Sequence, residues 1–142
     1  MNTKNALSRV ERAKMKRIGK AGVCPFCPKY FKKYHGSPII KESKNWRLVK
    51  NDFPYAGSKT HLLLVHKKHI ENVKNISPAG AKELVRLISL AEKKFRIDNG
   101  IFLIRFGDPK YTGATIKHIH GHLIASKKDK ASKLKLRKQA SF

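Results

Sequence analysis

The clearest periodic pattern in the chain lies between residues 77 and 96. Ser77 and Pro78 are typical of the N-cap and the first position of a helix. Apolar residues then recur at steps of three and four, as they do along one face of an amphipathic helix. These residues are Leu84, Leu87, Ile88, Ala91 and Phe95. The pattern predicts one long amphipathic helix that ends near residues 98–100, where Asp-Asn-Gly favours termination.

Short apolar runs on either side of this helix have the composition of strands. Two precede it, at residues 46–49 and 61–65, with turn formers between them at 52–58. Two follow it, at residues 101–106 and 116–125, joined by a loop over 107–113. Because strands flank a single helix and no internal repeat is visible, the sequence predicts an α+β fold with a largely antiparallel sheet.

The two ends of the chain differ from the middle. Residues 1–20 are basic and helix-compatible, with a weak apolar stripe of Leu7, Val10 and Ile18, so we predict a basic N-terminal helical arm. Residues 127–142 are also basic and offer little that could form a core, which predicts a basic C-terminal tail. A length of 142 residues suits one compact domain, here placed at 21–126.

The charge balance is extreme. The chain has 33 Lys and Arg against 9 Asp and Glu, a formal net charge of +24 at pH 7. Such a charge favours polyanionic partners, so binding of RNA or DNA through the basic ends, without sequence preference, is one interpretation. A solvated surface that aids solubility is the other.

Apolar composition and cysteine use indicate the compartment. The sequence has no apolar run of the roughly 18 residues needed to span a bilayer, and its N-terminus lacks the apolar core of a secretory signal. Its two cysteines form one Cys-X-X-Cys unit and are not spread as a disulfide framework would be. We therefore expect a cytoplasmic protein that does not interact with membranes.

The strongest chemical signal is a run of alternating histidines, His118, His120 and His122. Side chains alternate across a strand, so the three imidazoles share one face. At about 3.3 Å per residue, the first and third lie roughly 13 Å apart, too far for all three to bind one ion. The pattern therefore indicates separate tasks. Chance alternation is the less economical interpretation, because imidazoles are costly to bury without partners.

The second signal is the pair Cys24 and Cys27 in Cys-Pro-Phe-Cys. Such a pair can be half of a tetrahedral zinc site, a redox pair or two buried thiols. A zinc site would need imidazoles to complete it, and the chain has seven histidines. The strand-then-helix context of a thioredoxin-like redox site is missing around the motif.

Together these residues resemble the histidine-triad (HIT) superfamily, whose signature alternates histidines with apolar residues as residues 118–124 do. Residues 51–55, 61–65 and 67–70 are also similar to that family, especially to its bacterial zinc-containing members and its dinucleoside-polyphosphate phosphorylase branch. The similarity covers about residues 22–126. It implies a HIT-like fold with about five strands, a nucleotide substrate and a homodimer.

The resemblance also assigns the metal ligands. In zinc-containing members the two cysteines, the histidine matching His69 and the first histidine of the triad bind the ion. This implies a structural Zn²⁺ held by Cys24, Cys27, His69 and His118. Spacing alone does not distinguish His69 from His66.

By the same resemblance His120 and His122 are catalytic: His120 is the nucleophile and His122 contacts the phosphate. A neutral imidazole is a good nucleophile near pH 7, and a phosphoramidate intermediate divides one displacement into two. The loop over residues 107–115 can supply backbone amides, including that of Gly113, and the Thr115 hydroxyl to phosphate oxygens. Asn51 matches the ribose-binding position, and His61 matches a histidine that supports the active site.

Two positions depart from the family pattern. Many members have Asn at the end of the strand before the loop and Gln shortly before the triad, whereas this chain has Arg105 and Ala114. Arg105 can clamp a phosphate or be one more surface charge.

The sequence thus favours a nucleotide-phosphate hydrolase or nucleotidyl transferase that works through a histidine-bound intermediate. Its substrate would be of the dinucleoside polyphosphate or nucleoside phosphoramidate type. The alternatives are a nucleic-acid-binding protein built on a HIT scaffold with basic tails and a catalytically silent zinc module.

Overall fold

An antiparallel sheet forms the centre of the computed structural model, which describes residues 1–126. Within that range the sheet has five strands: β1 (Ile39–Glu42), β2 (Trp46–Lys50), β3 (Ser58–His66), β4 (Ile101–Ile104) and β5 (His120–Ser126). They lie side by side in the order β1-β2-β3-β5-β4, and every neighbouring pair is antiparallel. The predicted α+β fold is confirmed. The predicted basic tail, residues 127–142, lies outside the described residues.

Helices cover both faces of this sheet. They are α1 (Arg9–Lys20), α2 (Pro28–Tyr34), α3 (Pro78–Phe95) and the short α4 (Pro109–Thr112), with 3₁₀ turns at Thr3–Asn5 and Val73–Asn75. The sequence did not predict α2, although Pro28 occupies its first turn, a position that proline favours. In residues 1–126, none of the helices is long and apolar enough to cross a membrane.

Helix α3 begins as predicted. The Ser77 hydroxyl accepts a hydrogen bond from the Gly80 amide at 3.0 Å, and Pro78 follows at the first helical position. The helix ends at Phe95, before the predicted residues 98–100, because Arg96 adopts a left-handed conformation with φ 49°. Its buried residues Leu84, Leu87 and Ala91 pack against the sheet, as the periodic pattern indicates.

Strand β3 is buried on both faces, which explains its continuous apolar run. Leu62 and Leu64 pack in the cluster that includes α3. Leu63 and Val65 point the other way and pack with residues of α1 and α2. Since each side of β3 faces a different core, the usual alternation of apolar and polar residues is lost.

Trp46 joins β2 to α3. Its ring is fully buried, and its indole N–H donates to the Gly80 carbonyl at 2.8 Å. The ring of His66 on β3 meets it edge-on, with the ring centroids 4.9 Å apart. The single tryptophan therefore lies where helix and sheet dock.

The N-terminal helix α1 packs on the opposite face of the sheet from α3. Its residues Met15 and Ile18 are buried against Phe26 and Phe31. The predicted apolar stripe is wrong in two of its three members, because Leu7 and Val10 are 53% and 71% exposed. Met15 and Ile18 lie three residues apart and so share one helical face.

The last predicted strand begins later than expected. Strand β5 starts at His120, and residues 116–119 form an irregular connection into it. The Ile119 amide donates to the Ile70 carbonyl at 2.8 Å, which holds this connection against the segment that follows β3. His118 is therefore placed just before the strand that carries the other two histidines of the triad.

Candidate active site and metal-binding cluster

Four potential metal ligands converge at one end of the sheet. Cys24 and Cys27 lie between α1 and α2, His69 follows β3, and His118 precedes β5. One ligand atom from each residue lies within 4.8 Å of every other. The Cys24 Sγ is 3.4 Å from Nδ1 of His118, and the Cys27 Sγ is 3.2 Å from Nδ1 of His69. Two sulfur and two nitrogen donors around one point fit the tetrahedral shell that zinc prefers.

In His69 and His118, the ring nitrogen that points away from the cysteines, Nε2, also has a polar partner. Nε2–H of His118 donates to the His66 carbonyl at 2.5 Å. Nε2 of His69 lies 3.4 Å from the carboxylate of Glu71, which also pairs with Lys117 at 3.0 Å. These contacts orient Nδ1 of each ring toward the cysteines, as outer partners of metal-binding histidines commonly do.

His66 does not join this cluster. Its Nδ1 lies 2.8 Å from the Lys68 carbonyl, and its ring packs against Trp46. Its side chain is thus directed into the core beneath α3. This orientation distinguishes it from His69, a choice that sequence spacing leaves open.

His120 lies on the same strand face as the buried Val65, its partner in register. Its Nδ1–H donates to the His118 carbonyl at 2.7 Å, so Nε2 of the neutral ring keeps its lone pair. Burial is the main cause that lowers the pKa of His120 to about 4; the hydrogen bond to the His118 carbonyl opposes this shift and the nearby Arg105 guanidinium adds to it. The ring is therefore uncharged at neutral pH and can act as a nucleophile.

His122 is oriented by a chain of hydrogen bonds. The Tyr55 amide donates to Nδ1 of His61 at 3.0 Å, so the neutral His61 carries its proton on Nε2. That N–H donates to Nδ1 of His122 at 2.9 Å. Nε2 of His122 consequently carries a hydrogen. Burial lowers the pKa of His61 to about 4 and that of His122 well below its usual value.

Asn51 and Tyr55 surround this histidine pair. The Asn51 amide nitrogen lies 3.1 Å from Nε2 of His61. The Tyr55 ring stacks on His122 with centroids 5.6 Å apart, and its hydroxyl accepts from Arg105 at 3.2 Å. Tyr55 lies in the segment that resembles the family, but nothing in the sequence indicated these ring contacts.

The predicted phosphate loop contains helix α4. Asp108 caps this helix by accepting from the Lys110 amide at 2.9 Å, and Gly113 ends it with a left-handed φ of 70°. Gly113 and Thr115 line the same cavity as His120. The fold thus places the loop beside the histidines.

These groups line a cavity of about 270 Å³. The residues at its surface that the sequence singled out are Asn51, Arg105, Gly113, Thr115, His120 and His122. His61 lies behind His122. A nucleophilic nitrogen, an imidazole N–H, a guanidinium and a glycine-containing loop meet here, a set that suits attack on a phosphoryl group.

Phe26 connects this cavity with the metal-binding cluster. It stands between the two cysteines in the sequence, and its ring centroid lies 4.9 Å from that of His120. Its contact with His118 is also edge-on, at 6.1 Å. Nothing in the sequence singles out Phe26, because any apolar side chain is compatible with the Cys-X-X-Cys motif.

The fold and the triad define a histidine-triad protein. The chain belongs to the HIT family, since the HIT domain model matches residues 34–129. The resemblance seen in the sequence is therefore confirmed at the level of the superfamily.

Individual relatives show the same relationship. An uncharacterized HIT-like protein of Chlamydia trachomatis is 31% identical over 88 residues, which are 60% of this chain and 77% of the relative. A HIT family hydrolase from Clostridium thermocellum is 25% identical with a TM-score of 0.58, covering 74% of this chain and 91% of that chain. A Zn-bound histidine triad family protein from Mycobacterium smegmatis is 18% identical with a TM-score of 0.59, covering 80% and 81% of the two chains. The last likeness supports the fold alone.

Proposed function

We propose that this chain is a nucleotide-phosphate hydrolase or nucleotidyl transferase that works through a nucleotidyl group bound to His120. The observation that carries the proposal is the 2.7 Å hydrogen bond from Nδ1 of His120 to the His118 carbonyl. It fixes the tautomer whose Nε2 lone pair is available in the cavity. The family includes proteins described as hydrolases, which agrees with this chemistry.

The reaction has two displacements. The Nε2 lone pair of His120 forms a bond to the phosphorus, and the bond from phosphorus to the leaving group breaks with its electron pair. Water or another acceptor then attacks the phosphorus and releases His120. Nε2–H of His122 donates to a phosphate oxygen in both steps, a role that its hydrogen bond from His61 prepares.

The remaining cavity residues bind the substrate in this proposal. The Gly113 amide and the Thr115 hydroxyl contact phosphate oxygens, and the Arg105 guanidinium offsets their charge. Asn51 binds the ribose hydroxyls, with His61 supporting the site from behind. The substrate is of the dinucleoside polyphosphate or nucleoside phosphoramidate type.

We also assign a structural Zn²⁺ to Cys24, Cys27, His69 and His118. Burial and the neighbouring Cys24 raise the pKa of the Cys27 thiol to about 11, and a bound cation would favour the thiolate instead. All four donors are protein groups, so the shell is closed and the ion ties three separate segments together. The Mycobacterium smegmatis relative is itself described as Zn-bound.

We also propose two kinds of partner for this chain, a second copy of itself and a nucleic acid. A homodimer agrees with family membership, and β4 is available for it as an outer strand with Ile101 exposed. Binding of RNA or DNA agrees with the net charge of +24.

Intact-protein mass spectrometry tests the covalent step. The chain is incubated briefly with nucleoside phosphoramidates and dinucleoside polyphosphates, and one half of each sample is acidified. We expect an added nucleotidyl mass that acid removes, because a phosphorus–nitrogen bond to imidazole is acid-labile. The adduct should be lost in His120→Asn. An adduct that persists in this variant, or none on the wild type with any substrate, contradicts the mechanism.

A further inference from the structure

The N-terminal segment, residues 1–20, contacts the phosphate loop although it lies outside the region that matches the HIT domain, residues 34–129. Ala6 and Ile18 of this segment are buried, so it is packed against the domain. Asn5 lies at the surface of the cavity that contains the proposed nucleophile. The cavity of this chain therefore includes a residue from outside the matched region.

Asn5 makes two hydrogen bonds to the phosphate loop, one at each end of α4. Its side-chain amide donates one hydrogen to the Pro109 carbonyl at 2.9 Å and the other to the Ala114 carbonyl at 2.8 Å. Both hydrogens of the amide are thereby used. Ala114 is also where this chain departs from the family pattern, since it has no polar side chain of its own. A side-chain amide from a distant segment thus holds the loop at this position.

The bond to Pro109 affects the backbone amide of Gly113. In a regular helix the Pro109 carbonyl would accept from the N–H four residues later, which is that of Gly113. Here Gly113 has a left-handed φ of 70°, and its N–H makes no hydrogen bond within residues 1–126. The Asn5 side chain pairs with the Pro109 carbonyl instead, so the carbonyl is satisfied while the Gly113 N–H stays available.

The bond to Ala114 fixes the orientation of the next peptide group. In a trans peptide the carbonyl and the following N–H point in opposite directions. Because the Ala114 carbonyl is directed at Asn5, the Thr115 N–H is directed away from Asn5. This N–H also has no acceptor in the part of the chain that the structure describes. The Thr115 carbonyl accepts from the Asn2 amide at 2.9 Å, which holds the same turn at a second point.

Two backbone N–H groups without a protein acceptor therefore lie on the loop, at Gly113 and Thr115, and both residues line the cavity. Such amides are the donors that bind phosphate oxygens in anion-binding loops. We propose that Asn5 is a positioning residue for phosphate binding. It holds the Pro109 and Ala114 carbonyls, so that the two amides remain free for the phosphate group, and it does not itself contact the substrate. This inference rests on the proposed function and adds to it a residue from outside the matched region.

Equilibrium binding of AMP and of adenosine separates the phosphate group from the nucleoside. Both ligands are titrated by calorimetry into the wild type, Asn5→Leu, Asn5→Ala and the control Asn75→Leu. Asn5→Leu keeps the approximate shape of the side chain but removes both donors. Asn75 is exposed, and its side chain makes no hydrogen bond among the described residues.

A second control loosens the same segment at another point. The Ser8 hydroxyl caps α1 by accepting from the Glu11 amide at 3.0 Å. Ser8→Ala therefore weakens the start of this helix but leaves the two bonds of Asn5 in place. Thermal melts followed by circular dichroism check that each variant is folded.

We expect the wild type to bind AMP at least about tenfold more tightly than adenosine, a difference of about 1.4 kcal/mol, because only AMP reaches the loop amides. Both Asn5 variants should reduce this preference at least about fivefold and leave the affinity for adenosine unchanged. Asn75→Leu and Ser8→Ala should keep the preference of the wild type.

A preference for AMP that survives in folded Asn5 variants overturns the positioning role, even if His120 forms its adduct. An equal loss in Ser8→Ala, a parallel loss of adenosine binding, or unfolding of both Asn5 variants overturns it too, since each would show a general effect on the fold. Wild type that binds AMP no more tightly than adenosine overturns the phosphate-loop assignment together with this inference. An Asn5 effect of the expected kind without any adduct supports the inference and overturns only the covalent mechanism.

Discussion

At the scale of single residues, the three histidines of the triad have different surroundings. His118 directs Nδ1 to the cysteines, His120 presents Nε2 to the cavity, and His122 receives a hydrogen bond from His61. Backbone carbonyls fix the first two rings, and a side chain fixes the third. Identical side chains two residues apart therefore have different chemistry.

Substitution of each triad residue should produce a different defect. His120→Asn removes the nucleophile, so kcat should fall by at least about a thousandfold while nucleotide binding persists. His122→Ala removes one phosphate contact of several and should cost less. His118→Ala should act through metal loss and lower thermal stability. Steady-state kinetics, calorimetry and metal analysis on the three variants check this order, and wild-type turnover by purified His120→Asn would contradict it.

The buried His61 should make stability depend on pH. Its pKa of about 4 in the folded chain lies below the usual value of about 6.5 in an unfolded chain. Below about pH 6.5 the unfolded state therefore binds a proton that the folded state resists. The free energy of unfolding should fall as pH falls from 6.5 toward 4. Urea unfolding across this window should show a shallower decline for His61→Gln than for the wild type. If the free energy of unfolding declines equally with pH in both proteins, His61 does not contribute to the pH dependence of stability.

At the scale of elements, β5 depends on a residue without a side chain. A Cβ at Gly121 would meet the Phe102 ring of β4 at less than van der Waals distance and Ile104 at 3.3 Å. Gly121→Ala should therefore lower stability by about 1–3 kcal/mol, the usual range for overpacking. Gly19→Ala in α1 is the matched control, since its Cβ meets nothing within 4 Å. Chemical denaturation of both variants checks the prediction, which equal stabilities would contradict.

The loop between α1 and α2, which carries Cys24 and Cys27, should depend on the proposed zinc ion for its stability. We expect one zinc per chain in protein purified without chelator, and removal of the ion should lower the thermal midpoint because the shell joins three segments. Cys27→Ser should lose the metal. His35→Gln, a histidine substitution outside the cluster, should retain it. Elemental analysis measures the zinc content of each protein, and thermal melts with and without chelator measure the midpoint. Metal-free wild type of full stability would refute the assignment.

The elements that the sequence predicted are those whose residues have local reasons for their structure. Helix α3 has an N-cap residue and apolar residues at helical spacing, and β3 has a run of branched and apolar residues. The contacts that could not be predicted join distant segments. Asn5 meets Pro109, and Tyr55 meets His122, only after the sheet brings their loops together. The choice of His69 over His66 likewise depended on family resemblance, because both precede the long helix at compatible spacing.

At the scale of the whole molecule, the charge should produce salt-dependent binding of nucleic acid. Arg9, Lys16 and Arg17 are exposed on α1. Because this helix packs on the domain, substitution to Gln is a better test than deletion. The triple variant should reduce the slope of log affinity against log salt for RNA and DNA. Removal of residues 127–142 should, on its own, also reduce this slope. A charge-conserving Lys16→Arg variant is the control, and unchanged slopes in both altered proteins would indicate that the charge only aids solubility.

The packing between α3 and the sheet should be visible in the fluorescence of Trp46. It is the single tryptophan of the chain, it is fully buried, and its indole bonds to the Gly80 carbonyl. An indole removed from water emits at shorter wavelength than one in water, so the intrinsic fluorescence of the folded chain should be blue-shifted. Its emission should move to the red when α3 separates from β2. Every stability comparison proposed above can thus be followed without an added label.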